Sequence, residues 1–335
     1  MFSYRNLLGF FTAVCIAAAA WSCKDDPEPK IEEESWEQVT GLLSPMGIAK
    51  DANGRVWVTE AGTGKDDARL SFISPDGQKT AVLTGLPSVV ANGAIEGITR
   101  PYIKGNSLLF AHGTSGRVYK LKTELSALKS SSLPLSANDF DILEVGNFAR
   151  KLPTSADSNS NVMDLHLSDN GDLYILDAGA NAIIKSQGGG NTLSLFAALP
   201  KISTPAPFPV SEDPVPTAFV FDGTRFFVSA LSGVPFNEGK SKIFAVTATG
   251  QVSEYKQGFT NLIDIELDAS GKPVALSHGT FSLAAGFADG TGSVSNEAGT
   301  VLLGQINRPA AILRKEGNTY YLLSFGEGLL KKIVL

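Results

Sequence analysis

The chain has 335 residues, with 43% hydrophobic and 19% charged residues and a formal net charge of -6, the composition of a soluble globular protein able to bury a large core. The acidic balance argues against phosphate backbones and bare anionic membranes, which demand a basic surface, so no nucleic-acid partner is expected. Gly at 34 and Phe at 19 fit turns and packed strands better than helices.

The first 22 residues read as an export signal. Arg5 gives a positive start, residues 7–20 are an apolar run, and Trp21-Ser22-Cys23 follows. The run is short for a membrane span, which needs about 20 residues. A small residue before Cys resembles the bacterial lipobox, with the lipid on Cys23; cleavage after Ala20 by the ordinary signal peptidase is the alternative, because Ala20 stands where Leu is preferred and Trp21 is bulky. Residues 23–35 carry charge and proline with little to bury and read as a flexible acidic tether. Its Lys24-Asp25-Asp26 resembles the tag that sends lipoproteins of some Gram-negative bacteria to the outer surface. The expected location is therefore the outer membrane, reached through the anchor on Cys23 and facing either the periplasm or the outside. Cys15 lies in the signal and Cys23 would be acylated, so the mature domain has no disulfide and no thiol chemistry.

From residue 36 onward one phrase recurs six times at intervals of roughly 50 residues: an apolar segment, a Gly-bearing turn, then an aromatic or β-branched strand. Three copies are tight: Met46-Gly47-Ile48 with Asn53-Gly54 and Val56-Trp57-Val58; Met163-Asp164-Leu165 with Asn170-Gly171 and Leu173-Tyr174-Ile175; Ile263-Asp264-Ile265 with Ser270-Gly271 and Val274. Looser copies begin at Ile95-Glu96-Gly97, Ala218-Phe219-Val220 and Ala310-Ala311-Ile312. Each is a β-hairpin, since Gly supplies the φ > 0 positions of the turn and alternating apolar residues cover one pleated face. The spacing leaves room for two more strands per copy, seen as Leu70-Ser71-Phe72-Ile73 with Ala81-Val82-Leu83, and as Lys242-Ile243-Phe244-Ala245 with Val252-Ser253-Glu254-Tyr255. Six four-stranded units make an all-β, six-bladed β-propeller. The last copy ends on its third strand, 329–334. The segment Trp36-Glu37-Gln38-Val39-Thr40-Gly41-Leu42 has the form of the outer strands elsewhere, so it is expected to complete the last blade and close the ring. The resulting organisation is signal 1–22, tether 23–35 and propeller 36–335. Between the second and third copies an outer strand and a helical turn are expected around residues 139–150, and residues 201–209 and 280–296 read as irregular loops.

Val215-Pro216-Thr217-Ala218, Leu231-Ser232-Gly233-Val234-Pro235-Phe236-Asn237-Glu238-Gly239, Gly258-Phe259-Thr260-Asn261-Leu262-Ile263-Asp264 and Asp157-Ser158-Asn159 together resemble the scytonemin-cluster propeller family (ScyD/ScyE-like). The likeness runs from about residue 42 to the C-terminus. That family usually continues Asp-Ser-Asn with Pro-Tyr, where this chain has Ser160-Asn161. The resemblance implies a six-bladed propeller related to NHL-repeat and gluconolactonase-like proteins, and it implies no reaction.

In such a ring the loops entering the innermost strands and those joining second to third strands share one face, the mouth of the central channel. Glu96, Asp164 and Asp264 occupy comparable places there, and Asn161 and Asn261 each stand three residues before an Asp. Convergent carboxylates and amide oxygens would suit Ca²⁺ or another divalent metal. The other reading is that each acid accepts backbone N–H bonds and fixes its own loop. His112 and His278, each before a Gly, would add imidazoles to the mouth or pack as structural side chains; His166, between Leu165 and Leu167, reads as structural, and Trp57, Tyr174, Phe227 and Tyr321 as core. No Gly-x-Ser-x-Gly elbow, phosphate loop or zinc helix appears, and Ser115 and Ser277 adjoin histidines only in sequence. Two functions follow: a monomeric, lipid-anchored binding scaffold at the cell envelope for a small-molecule or protein ligand, or a metal-dependent lactonase-like hydrolase.

Overall fold

The computed structural model describes residues 34–91, 94–203 and 211–335. The signal and Cys23 lie outside the described residues, as do 204–209 of the first irregular loop.

Six four-stranded antiparallel sheets stand around a common axis, each a simple meander from inside to outside. Blade 1 is Pro45–Lys50, Val56–Glu60, Ala68–Ile73 and Lys79–Leu86. Blade 2 is Ile98–Lys104, Ser107–His112, Arg117–Leu121 and Phe140–Glu144, followed by the one-turn helix Gly146–Ala149. Blade 3 is Val162–Leu167, Leu173–Asp177, Ala182–Ser186 and Leu193–Ala198. Blade 4 is Pro216–Phe221, Arg225–Ala230, Ser241–Thr247 and Val252–Phe259. Blade 5 is Leu262–Leu267, Pro273–Ser277, Gly292–Asn296 and Val301–Ile306. Blade 6 is Pro309–Glu316, Thr319–Ser324 and Leu329–Val334, and its outermost place is taken by Gln38–Thr40.

That last pairing closes the ring, with Gln38 opposite Lys331, Val39 opposite Leu330 and Thr40 opposite Leu329. Trp36 secures the seam. Its ring is buried among Val56, Val58 and Ile73 of blade 1 and Tyr321 of blade 6, 5.8 Å from the Tyr321 ring centroid, and its indole N–H donates to Ser74 O at 3.2 Å. Glu34 also belongs to the seam rather than to the expected tether. Its carboxylate accepts from the Tyr321 hydroxyl, meets Lys50 at 3.0 Å and Lys315 at 3.2 Å, and is almost fully covered. Burial alone would raise its pKa, but the bonds from Tyr321, Lys50 and Lys315 outweigh that and hold it below the ordinary 4.5.

Each interface between blades is a separate apolar layer, and Trp57, Phe227 and Tyr321 are buried in three of them, as their place on second strands requires. Gly54, Gly171 and Gly271 all hold φ near +80° in the first-to-second turns, the conformation that makes Gly necessary there.

Two departures from the sequence reading affect the functional face. The stretch 280–296 is only partly irregular: it carries the small hairpin Phe281–Ser282 with Gly286–Phe287 and then the third strand of blade 5. In blade 2 the innermost strand begins at Ile98, so Ile95-Glu96 belongs instead to a hairpin ahead of it, Ala94–Glu96 paired with Val89–Ala91.

Candidate functional site

All six innermost strands break register at one level, between Pro45 and Gly47, Ile98 and Pro101, Val162 and Asp164, Pro216 and Ala218, Leu262 and Asp264, and Pro309 and Ala311. A β-bulge of this kind re-aims a side chain and frees backbone groups from the ladder. Two residues past the first paired residue of each innermost strand stand Gly47, Arg100, Asp164, Ala218, Asp264 and Ala311 in blades 1 to 6. Three small residues thus share the level with one cation and two acids.

Arg100 projects across the channel. Blades 2 and 5 are opposite in a ring of six, yet the Arg100 guanidinium donates to Ile263 O at 2.6 Å and lies 3.4 Å from Asp264 Oδ1 and 3.7 Å from Asp164 Oδ2. Each acid is also tied to backbone. Asp164 accepts from Leu165 N at 2.8 Å and from Phe219 N of blade 4 at 3.1 Å; Asp264 accepts from Ile265 N at 2.9 Å and from Ile312 N of blade 6 at 2.8 Å. Blades 2 and 4 make the corresponding stitch with threonines, Thr99 Oγ1 to Val162 O at 2.8 Å and Thr217 Oγ1 to Leu262 O at 3.0 Å. Burial pushes both carboxyls up, Asp164 to about 7, against the pull of Arg100 and the backbone donors. One guanidinium neutralises one carboxylate, so the second retains a tendency to hold a proton.

The expected ligand set of Glu96, Asp164 and Asp264 therefore does not assemble. Asp164 and Asp264 do converge, but on Arg100, which supplies the positive charge a metal was expected to bring. The residue of blade 2 at their level is Arg100, and Glu96 sits on the preceding hairpin, half-buried and with its carboxyl raised by burial. Among the described residues, no group of three or more His, Cys, Asp or Glu side chains is placed to hold an ion.

The polar residues of the mouth fasten loops. His112 is fully buried, with Nε2 2.9 Å from Pro87 O and Nδ1 3.0 Å from Ser115 Oγ. That second contact corrects the expectation that Ser115 is near a histidine only in sequence. Ser115 N also points at the same ring nitrogen, at 3.4 Å, so the pair closes a local turn. His278 Nδ1 donates to Pro309 O at 2.7 Å, and burial drives its pKa down to about 4. Asn261, at φ +48°, donates from Nδ2 to Gly279 O at 2.8 Å. Asn161 donates its N–H to Asp177 Oδ1 at 2.8 Å, and its side chain lies so close to Gly113 that a Cβ there would stand 2.1 Å from its Oδ1.

Sequence reasoning missed Arg100 and the glycine that admits it, Gly47, where a Cβ would come within 2.8 Å of Arg100 Cα. The available signal was an arginine between Ile98 and Ile103 on an innermost strand.

The chain is similar in structure to a streptogramin B lyase (14% identity, TM-score 0.54, covering 89% of this chain and 86% of that one). It is also similar to a gluconolactonase-like protein (14%, 0.52, 89% and 92%) and to the PQQ-bound form of aldose sugar dehydrogenase from Streptomyces coelicolor (14%, 0.54, 90% and 96%). No family model matches the chain, and no curated protein matches it. At these identities the likeness establishes the six-bladed fold, on which unrelated activities are carried.

Proposed function

We propose that this chain is an exported, lipid-anchored propeller of the scytonemin-cluster type that acts as a binding scaffold at the cell envelope. The observation that carries the reading is the bridge from Arg100 to Asp164 and Asp264. It uses the converging acids of the channel to join blades, and so leaves them poorly placed to activate water or hold an ion. Glu34 and Trp36 lie among the turns at Ser74 and Lys50, on the face opposite the mouth.

The test has two parts. Cys23→Ala is expected to move the protein from the membrane fraction to the soluble exported fraction and to abolish incorporation of labelled palmitate; retention in the membrane would refute the anchor. Metal analysis of the purified protein, with Ca²⁺ titration of wild type and Asp264→Ala, is expected to show no stoichiometric binding that depends on Asp264. Tight binding lost on that substitution would instead support the second reading, a metal-dependent hydrolase of lactone type, which the gluconolactonase-like neighbour favours.

A further inference from the structure

At the end of every second strand, opposite the first residue of the innermost one, four of the other five blades carry a buried polar side chain that holds an incoming loop. Glu60 accepts from Leu43 N at 2.7 Å, His112 meets Pro87 O at 2.9 Å, Asp177 accepts from Asn161 N at 2.8 Å and Ser324 donates to Asn307 O at 2.7 Å. Blade 5 has Ser277 at this position, paired in register with Leu262. Here the loop is held by Asn261 through Gly279. Among the described residues no hydrogen bond uses Ser277 Oγ, and Ser277 faces a cavity of about 400 Å³ between blades 4 and 5.

The next strand explains the open volume. Ser293 lies opposite Ser277, and Ser295 opposite Ala275. The residues equivalent to Ser295 in blades 2, 3 and 4 are Tyr119, Ile184 and Phe244, which fill the layer against the preceding blade. A serine in place of that bulk leaves space, and neither Ser293 nor Ser295 makes a side-chain hydrogen bond to a described residue. Phe259 and the backbone of Gly279 complete the inner wall, and Gln257 and Thr291 stand at the exposed rim. No residue lining the cavity is ionisable.

We infer that this cleft is a binding site for a small neutral polyhydroxylated ligand, of the size and chemistry of a sugar. Its volume lies in the lower part of the range for small-molecule sites, about 300 to 1,000 Å³. Serine hydroxyls can each donate and accept, as ligand hydroxyls do, and the cavity gathers three of them, Ser277, Ser293 and Ser295, with Thr260, Thr280 and Thr291. A charged ligand would lose its hydration with no counter-charge to replace it. The inference is independent of the anchor and of the channel bridge.

Calorimetric titration of the full chain with glucose, xylose and N-acetylglucosamine tests it, with glucuronate and glucosamine as charged counterparts. At least one neutral sugar is expected to bind saturably at millimolar Kd or tighter, and its charged counterpart about tenfold more weakly. Ser277→Ala and Ser293→Ala, which each remove one oxygen and leave the fold's volume intact, should weaken binding about tenfold. Ser295→Phe, which copies blade 4, should abolish it, while Arg100→Met should leave it unchanged in folded protein. The proposal falls if no neutral sugar titrates, or if the alanine variants bind as wild type. It also falls if binding persists with Phe at 295 or is lost with the channel variant; that last result would move the ligand to the channel and leave the scaffold reading standing.

Discussion

Arg100 is the residue on which the centre of the ring turns. Removing it strands two buried carboxylates, a defect that costs about 3–5 kcal/mol, so Arg100→Met is expected to lower the urea midpoint strongly at neutral pH. The loss should shrink in acid, where protonated Asp164 and Asp264 need no counter-ion; an equal loss at both pH values would contradict the ion-pair account. Gly47→Ala should act on the same spot by steric means, since its Cβ meets backbone of Arg100. The histidines give a separate acid signature. His278 has a folded-state pKa of about 4 against an ordinary 6.5, so it stays neutral in the ring where the unfolded chain takes up a proton. Stability from this group is complete above pH 6.5 and declines as pH falls toward 4, by up to about 3 kcal/mol. Denaturation midpoints measured across that window should fall less steeply for His278→Gln. At this scale the sequence was only half legible. Asp164 and Asp264 stood out because both precede a turn Gly by seven residues. Blade 2 has a shorter first turn, pairing Lys104 with Ser107, so Arg100 stands closer to its turn Gly105 and the seven-residue count did not reach it.

Among elements, the closing strand Gln38–Thr40 bears most weight relative to its length. It has only three paired residues, yet Trp36 beside it fills the layer between the first and last blades. Trp36→Ala should cost about 3–5 kcal/mol as a large buried aromatic, and deleting residues 36–43 should lower the melting temperature of the whole protein in one transition. A deletion that melts as wild type would mean the seam is dispensable. The strand was legible because Gln38-Val39-Thr40-Gly41-Leu42 repeats the form of Val82-Leu83-Thr84-Gly85-Leu86. The third strand of blade 5 was not, because Gly292-Ser293-Val294-Ser295-Asn296 has one apolar residue among five and follows a Gly-rich stretch. Its lack of bulk obscured the strand and also opened the cleft beside it.

For the molecule as a whole, the count of six blades followed from periodicity, since each hairpin phrase reports one unit that cannot bury its faces alone. How the units are joined at the centre was not legible, because the common level of Arg100, Asp164 and Asp264 appears only once the bulges are aligned. Closure of the last blade has a temporal consequence. The strand Gln38–Thr40 finds its partner, Leu329–Val334, only after the five intervening blades have been made, so a growing polypeptide holds five blades' worth of sequence with no finished circle. Such a delay, together with the high contact order of the pairing, would keep the ring open and its blades unlocked until that late strand arrives.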